Sequence, residues 1–313
     1  MIQTELCSIL GIKYPLLQGG MAHISDAKLA AAVSNAGGLG IISASYGAKR
    51  LKEEILAAKE LTDKPFGVNI MLMSPDADEI AELVCSLDVK AVTTGAGNPS
   101  KYMQMWNDNG IKVMPVVASV SLAKLMQRLG AAAVIAEGGE SGGHVGETNT
   151  MALVPQVCDA ISIPVVAAGG IADGRGFAAA MMLGAVGVQI GTRFLIADEC
   201  TIHDNYKEKI IKATDISTVV TGRRLGHPVR SIKTPFSREY AKAEYTNIAD
   251  DDLESMAVGS LKKAVYDGDV QNGCFLAGEI CGMISQKMSC ADIVEEIMSD
   301  AEKVISGGAK WVK

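Results

Sequence analysis

Eight short runs of apolar, β-prone residues recur along the first two hundred positions of this 313-residue chain, and stretches with helical periodicity separate them. The runs are 14–19, 39–42, 66–71, 91–94, 112–117, 133–136, 163–169 and 187–191; the helical patterns cover 26–36, 48–61, 76–87, 99–109, 120–129, 150–160 and 173–183. Strands that are apolar at nearly every position are buried on both faces, which is the condition of a parallel sheet covered by helices. Parallel neighbours need a crossover between them, and the alternation supplies one each time. Eight such units close into a (β/α)8 barrel, an architecture of about 250 residues. Asp26, Ser121 and Asp173 stand where helix N-caps are expected.

The rhythm stops after Arg193. A charged, proline-containing stretch runs from 196 to 255, and helical patterning resumes over 253–269 and 289–305. The expected fold is therefore α/β: a TIM (β/α)8 barrel of residues 1–195 plus 256–313, with a small substrate or lid subdomain, 196–255, inserted after strand 8. Such insertions belong at the C-terminal face of the strands, where barrel active sites lie.

Composition narrows the function class. With 48% hydrophobic but only 4% aromatic residues, the core must come from Ala, Val, Ile, Leu and the 15 Met. The first fifteen residues lack the basic start and small-residue cleavage site of a signal peptide, and no apolar segment reaches the ~18 residues of a membrane span. A cytoplasmic protein without a membrane partner is expected. Seven scattered cysteines without a C-x-x-C fit neither a disulfide framework nor a zinc site, so they read as reduced, mostly buried thiols and no metal site is assigned. A net charge of −7 argues against nucleic acid as partner. Residues 205–242 nevertheless hold nine basic against three acidic residues, or +6, which leaves −13 for the remainder. That stretch is either a solvated face or a landing patch for an acidic or phosphate-bearing partner.

The strand ends carry the chemistry. Gln18-Gly19-Gly20-Met21, Asn69, Thr94-Gly95-Ala96-Gly97, the run from Glu137 to His144, Gly169-Gly170-Ile171 and Gly191-Thr192-Arg193 all fall on one rim. Turns from strand to helix use glycine for backbone reasons of their own, but its concentration on one rim points to a ligand face. The pair 167–174 and 189–194 has the spacing of a phosphate cradle between strands 7 and 8, with contacts from Gly169, Gly170, Gly191 and Thr192. Neither a G-x-G-x-x-G opening a βαβ unit nor a G-x-x-x-x-G-K-[ST] is present. A resident phosphate-bearing cofactor is the natural reading. An isoalloxazine ring across the mouth needs small residues beneath it, as Gly19, Gly20, Met21 and Ala22 provide, and hydrogen-bond partners at its edge, for which Asn69 and Gln18 qualify.

The stretch AEGGESGGHVGE, residues 136–147, sets one imidazole, His144, among five glycines and three glutamates. Ordering glycine is costly, and here it keeps neighbouring side chains away from a group that takes or gives a proton near neutrality. His23, His203 and His227 lack that frame and read as structural.

The segments LLQGGMAHISDAKLAAAVSNAGGLGII, TDKPFGVNIML, VTTGAGNPSKY, AVIAEGGESGGHVGE, IPVVAAGGIADGRG and VQIGTRF together resemble the flavin-dependent enoyl-acyl-carrier-protein reductase II, a branch of the nitronate monooxygenase (2-nitropropane dioxygenase) superfamily. The likeness runs from about residue 5 to 285, and YKEKIIKA and LGHPVRSIKTPF favour the reductase branch. It implies an FMN-bearing barrel of type II fatty acid biosynthesis that moves hydride from NADH or NADPH to the trans-2 double bond of an enoyl thioester on acyl carrier protein. FMN contacts would involve Gly20, Met21, Ala22, Asn69, Glu137, Gly142, Gly143, Gly169, Gly170, Gly191 and Thr192, with His144 as the catalytic proton donor or enolate stabiliser. It also implies a homodimer and, in several members, stimulation by a monovalent cation, for which no side-chain cluster stands out. The acidic carrier would meet the basic insertion, with Arg223, Arg224 and Arg230 as docking residues. Two readings stay open beside it. One is an O2-consuming nitronate monooxygenase with His144 as base; the other is a flavin-free barrel that binds a nucleotide or sugar phosphate.

Overall fold

The computed structural model describes residues 1–311. Its strands, in chain order, are β1 (Leu16–Gln18), β2 (Gly40–Ser43), β3 (Phe66–Met71), β4 (Ala91–Gly95), β5 (Lys112–Val117), β6 (Val134–Glu137), β7 (Gly143–His144), β8 (Val165–Ala168), β9 (Gly187–Ile190), β10 (Thr218–Thr221) and β11 (Val229–Ile232). Eight of them run parallel in the order β1-β9-β8-β6-β5-β4-β3-β2. The two ends of that sheet meet at a parallel bridge between Leu17 and Leu39, where the Gln18 amide donates to the Leu39 carbonyl at 2.9 Å. The sheet is thus the TIM (β/α)8 barrel that the alternation implies. Strands β10, β11 and β7 form a second, three-stranded sheet.

Side-chain alternation explains why the runs are apolar throughout. In β8, Val165 and Ala167 belong to the layer between sheet and helices, whereas Val166 and Ala168 belong to the barrel interior. All four are buried, as the two-residue period of a strand covered on both faces requires. Leu17, Leu39, Ile41, Met114, Ile135 and Val166 fill the interior, joined by Leu6 and Leu10 from the helix Glu5–Leu10. That short helix plugs the end of the barrel opposite the cavity described below.

Most helix bounds lie within a residue of the sequence reading, and Ala48–Leu61 and Thr150–Ala160 coincide with it. Asp26 and Asp173 cap as expected, accepting from the amides of Leu29 and Arg175 at 2.9 Å each. Ser121 does not. The N-cap is Ser119, which accepts from the Leu122 amide at 3.3 Å, while the Ser121 hydroxyl only reaches that of Ser119. The helix begins at Val120, where the periodicity puts it, so the position before its first residue is Ser119 and Ser121 already lies in the first turn. The pattern over 253–269 also divides, into Asp250–Ala257, Ser260–Lys262 and a π-helical turn Lys263–Asp267. Gly259 between the first two has φ +75°, which no right-handed helix accommodates.

The C-terminal helix Cys290–Gly307 packs between Gly174–Met182 and Ala27–Asn35, in the place of an eighth barrel helix. It is pinned by Arg193, 6% exposed, whose guanidinium meets Glu296 at 3.0 Å. The residues between β9 and this helix lie over the strand C-terminal face and carry β10 and β11. No helix among the described residues is long and apolar enough to cross a membrane. All seven cysteines are free thiols, four of them buried.

Ile135 lies in the barrel interior with 0% exposure. Ile135→Ala is expected to cost about 2–5 kcal/mol, read as a lower urea midpoint at unchanged slope. Leu61→Ala, at a position 52% exposed, should stay within about 0.5 kcal/mol of the parent.

Candidate active site

The C-terminal ends of the strands open into a cavity of about 440 Å³, within the ~300–1,000 Å³ common for small-molecule and cofactor sites. The residues nominated as FMN contacts, and His144, all line it. Gly20, Met21 and Ala22 follow β1, Asn69 lies in β3, and Glu137 ends β6. Gly142, Gly143 and His144 come from the next loop and β7, Gly169 and Gly170 follow β8, and Gly191 and Thr192 follow β9. Gln18 is the exception and corrects the sequence reading. It is fully buried, its Oε1 accepts from the Ile41 amide at 3.1 Å and its Nε2 donates to Ser25 Oγ at 2.8 Å. Its side chain ties β1 to β2.

Between β8 and β9 the backbone forms a cradle. Gly169 and Gly170 have φ of +88° and +74°, a conformation in which glycine is the default. The amides of Gly169, Gly170 and Gly191 donate to no carbonyl or side chain among the described residues. Successive unengaged N–H groups in a tight turn make an anion-binding concavity. The Thr192 hydroxyl is already engaged, accepting from the Gly278 amide at 2.9 Å, and so holds the covering segment beside the cradle. Asn69 is oriented as well: the Thr93 hydroxyl donates to its Oδ1 at 2.9 Å.

The His144 loop is held by long-range contacts. Antiparallel pairing sets His144 opposite Val229 and Gly143 opposite Arg230, and the Val145 amide donates to the Pro228 carbonyl at 3.0 Å. Arg230 fastens this ribbon from below. Its guanidinium donates to the Gly139 carbonyl at 2.9 Å and to Thr218 Oγ1 at 3.1 Å, and pairs with Glu279 at 3.0 Å. Gly142 is required by close approach, since a Cβ there would lie 2.6 Å from the Ala277 carbonyl carbon. Glu140 caps the helix Thr150–Ala160, accepting from the Thr150 amide at 2.9 Å. The Thr150 hydroxyl is 2.8 Å from that carboxylate and 3.0 Å from the Gly169 carbonyl, which links the histidine loop to the cradle.

Two titratable groups face the cavity with opposite tendencies. No hydrogen bond among the described residues ties down the His144 ring. The residue is exposed at the mouth of the cavity, and desolvation by the protein around it, then the charge of His227, hold the ring below its ordinary pKa. Neutral imidazole is therefore its resting form at pH 7. Burial pushes the Glu137 carboxyl up to about 7. Ser141 stands near enough to favour its charge, yet the Ser141 hydroxyl makes no hydrogen bond of normal geometry. Groups shifted in this way cluster at functional sites.

Some lining residues had no local signal. Leu276, Gly278 and Ile280 reach the cavity from beyond the strand pattern. They are brought there by the Ser231–Leu276 bridge and by the Glu279 amide, which donates to the Glu140 carbonyl at 2.9 Å. The arginines nominated for docking also make contacts within the protein. Arg230 is internal, Arg223 pairs with Glu147 at 2.7 Å, and Arg224 donates to the carbonyls of Thr246 and Ile248 while pairing with Asp250 at 2.7 Å. They hold the covering segment together.

Fold and cavity define a TIM-barrel protein with one deep site on the C-terminal face of its strands. The chain belongs to the nitronate monooxygenase family, whose model matches residues 3–85 and 78–300, and it is an oxidoreductase of that family. It is 47% identical to FabK from Thermotoga maritima, with a TM-score of 0.98 and all of both chains covered. It is 33% identical to the (3aS,4S,5R,7aS)-5-hydroxy-7a-methyl-1-oxo-octahydro-1H-indene-4-carboxyl-CoA dehydrogenase of Mycobacterium tuberculosis, over 96% of each chain. A probable nitronate monooxygenase of Staphylococcus saprophyticus is 34% identical, over 97% of this chain and 99% of the relative.

Glu137 generates a pH test. Its folded pKa of about 7 lies above the ordinary carboxyl value of 4.5, so the folded state binds the extra proton between those values. The stability this group contributes is present below about 4.5 and is lost as pH rises through about 7. Glu137→Gln should therefore gain stability relative to the parent on going from pH 5 to pH 8, read by urea unfolding without added ligand. Parallel pH profiles would show that the carboxyl is not perturbed.

Proposed function

We propose that this chain is an FMN-dependent enoyl-acyl-carrier-protein reductase of type II fatty acid biosynthesis that uses NADH or NADPH. The observation that carries this reading is the arrangement across one cavity: an anion cradle of three unengaged amides at Gly169, Gly170 and Gly191 faces a mouth spanned by one unanchored imidazole. The cradle suits the phosphate of FMN. The small residues Gly20 and Ala22 leave room for a flat ring, Met21 lines the wall beside them, and Asn69, held by Thr93, stands at the edge. The likeness to FabK at 47% identity supports the reductase over the other activities borne by relatives.

Bound there, a flavin supplies two-electron reduction of a polarised carbon–carbon double bond. The protein supplies placement and proton management. In its neutral form His144 donates one N–H, which can meet the thioester oxygen of an enoyl substrate. Negative charge developing on that oxygen raises the proton affinity of the ring, so His144 can take up a proton from solvent water and, as imidazolium, deliver it to the α-carbon of the enolate. General acid catalysis of this kind is worth about 10² to 10⁴ in rate. The glycines on either side and the β7–β11 pairing fix where the ring stands.

A neutral imidazole is equally ready to accept a proton from carbon, and this favours a second reading, a nitronate monooxygenase with His144 as base. Anaerobic mixing with NADPH or NADH separates the two, because the reductase bleaches its flavin and the monooxygenase does not. His144→Ala should keep the yellow cofactor and its bleaching yet lose about 10²- to 10⁴-fold in crotonyl-thioester reduction. Full turnover in that variant removes His144 from the chemistry.

Besides Arg223 and Arg224, both exposed, further cations are available to an acidic carrier protein. Lys209, Arg238 and Lys242 have no carboxylate partner among the described residues. Lys209 lies over the Phe275 ring at 5.4 Å, one residue before cavity-lining Leu276. Its pKa is lowered by burial and then by Arg238 and Lys212, as expected among like charges. Reversing Lys209 and Arg238 to Glu should raise KM for a carrier-bound enoyl substrate several-fold at low salt while sparing a small crotonyl thioester. An unchanged KM places docking elsewhere.

A further inference from the structure

Beside the cavity, on its β1–β2 side, three rings meet edge to edge. His23 lies 6.0 Å from Tyr46 and 6.3 Å from Tyr266, at interplanar angles of 69° and 60°. The Arg50 guanidinium sits 4.5 Å over the Tyr46 ring. Lys262 completes the group: after burial, its charge and that of Arg50 hold His23 below its ordinary pKa. The His23 amide donates to Ser45 Oγ at 2.7 Å, and Ser45, Ala22 and Ile24 all line the cavity. The rings therefore form a shelf continuous with the site.

Two backbone departures converge on this shelf. His23 is one of three non-glycine residues with positive φ, at +60°, and Tyr266 lies in the π-helical turn Lys263–Asp267. Both conformations are uncommon and gather at functional sites, because they carry strain that the surroundings must hold in place. Core packing does not account for them, since Tyr266 is 47% exposed. The nearby carboxylates are already engaged. Glu54 pairs with Arg50 at 3.3 Å and accepts from the Ala27 amide at 2.9 Å. Asp26 accepts from the Leu29 amide at 2.9 Å and the Thr201 hydroxyl at 2.8 Å. Lys262 has no carboxylate partner among the described residues. Aromatic rings with two cations suit a planar base bearing phosphate: the base stacks on the rings, and the phosphate meets guanidinium and ammonium.

We infer that the shelf of His23, Tyr46, Tyr266, Arg50 and Lys262 is a second ligand subsite, which holds the adenosine-phosphate end of a ligand whose other end reaches into the cavity. It rests on the proposed function only for the two sources of that group, a nicotinamide dinucleotide and a CoA thioester.

The probes are adenosine 2′,5′-bisphosphate and adenosine 3′,5′-bisphosphate, titrated calorimetrically into the flavin-loaded protein, its Lys262→Glu variant and its Tyr266→Ala variant. Both substitutions are at exposed positions. If the dinucleotide is the source, each variant weakens the 2′,5′ probe and the NADPH dissociation constant for flavin bleaching at least tenfold, with the limiting bleaching rate unchanged. If CoA is the source, the 3′,5′ probe and the KM for crotonyl-CoA move instead, while the crotonyl ester of N-acetylcysteamine does not. Equal binding of both probes by parent and variants, or no binding by the parent, overturns the subsite. Calorimetry needs no turnover, so a protein that binds a probe on the shelf but never reduces an enoyl thioester sinks the proposed reaction and leaves the subsite standing.

Discussion

Two residues of backbone pairing, His144 with Val229 and Gly143 with Arg230, join the barrel to the segment that covers it. The cavity depends on that ribbon more than on any single side chain. It fixes the glycine-framed loop over the strand ends and brings Arg230 to the Gly139 carbonyl. It also sets β11 beside Leu276, so that the residues after it reach the mouth. A loop this rich in glycine would otherwise be costly to hold in one conformation. Here the cost is offset by contacts drawn from three distant parts of the chain.

The electrostatics of the site follow from the same enclosure. Burial favours the uncharged form of whatever it surrounds, so it pushes a histidine down and a carboxyl up. The Glu137 carboxyl is thereby lifted to about 7 while the His144 ring is pushed below its ordinary value. Neither shift needs a strong ion pair. Both come from partial desolvation by the protein around each group, and a bound ligand would deepen them.

Much of this was legible in the sequence. The barrel followed from strand runs that are apolar on both faces and repeat eight times, and the rim of glycines from their position at the strand ends, because both features are local. The His144 loop stood out because its composition is abnormal for a turn. What stayed hidden is non-local. A two-residue strand such as β7 has no periodicity to detect, and its partner is more than eighty residues away. Gln18 and Arg230 carry the chemical character of ligand-binding residues, and only their actual partners show that they are structural. Ser121 failed as a cap because a helix that starts at Val120 takes its cap from the residue just before, Ser119.

The short helix Glu5–Leu10 has a consequence for traffic through the molecule. By seating Leu6 and Leu10 among the innermost side chains, it stoppers the far end of the cylinder. Anything that enters the reaction chamber must leave by the door through which it came, past the same imidazole and beneath the same roof. Two reactants too large to stand in that doorway together would have to take turns.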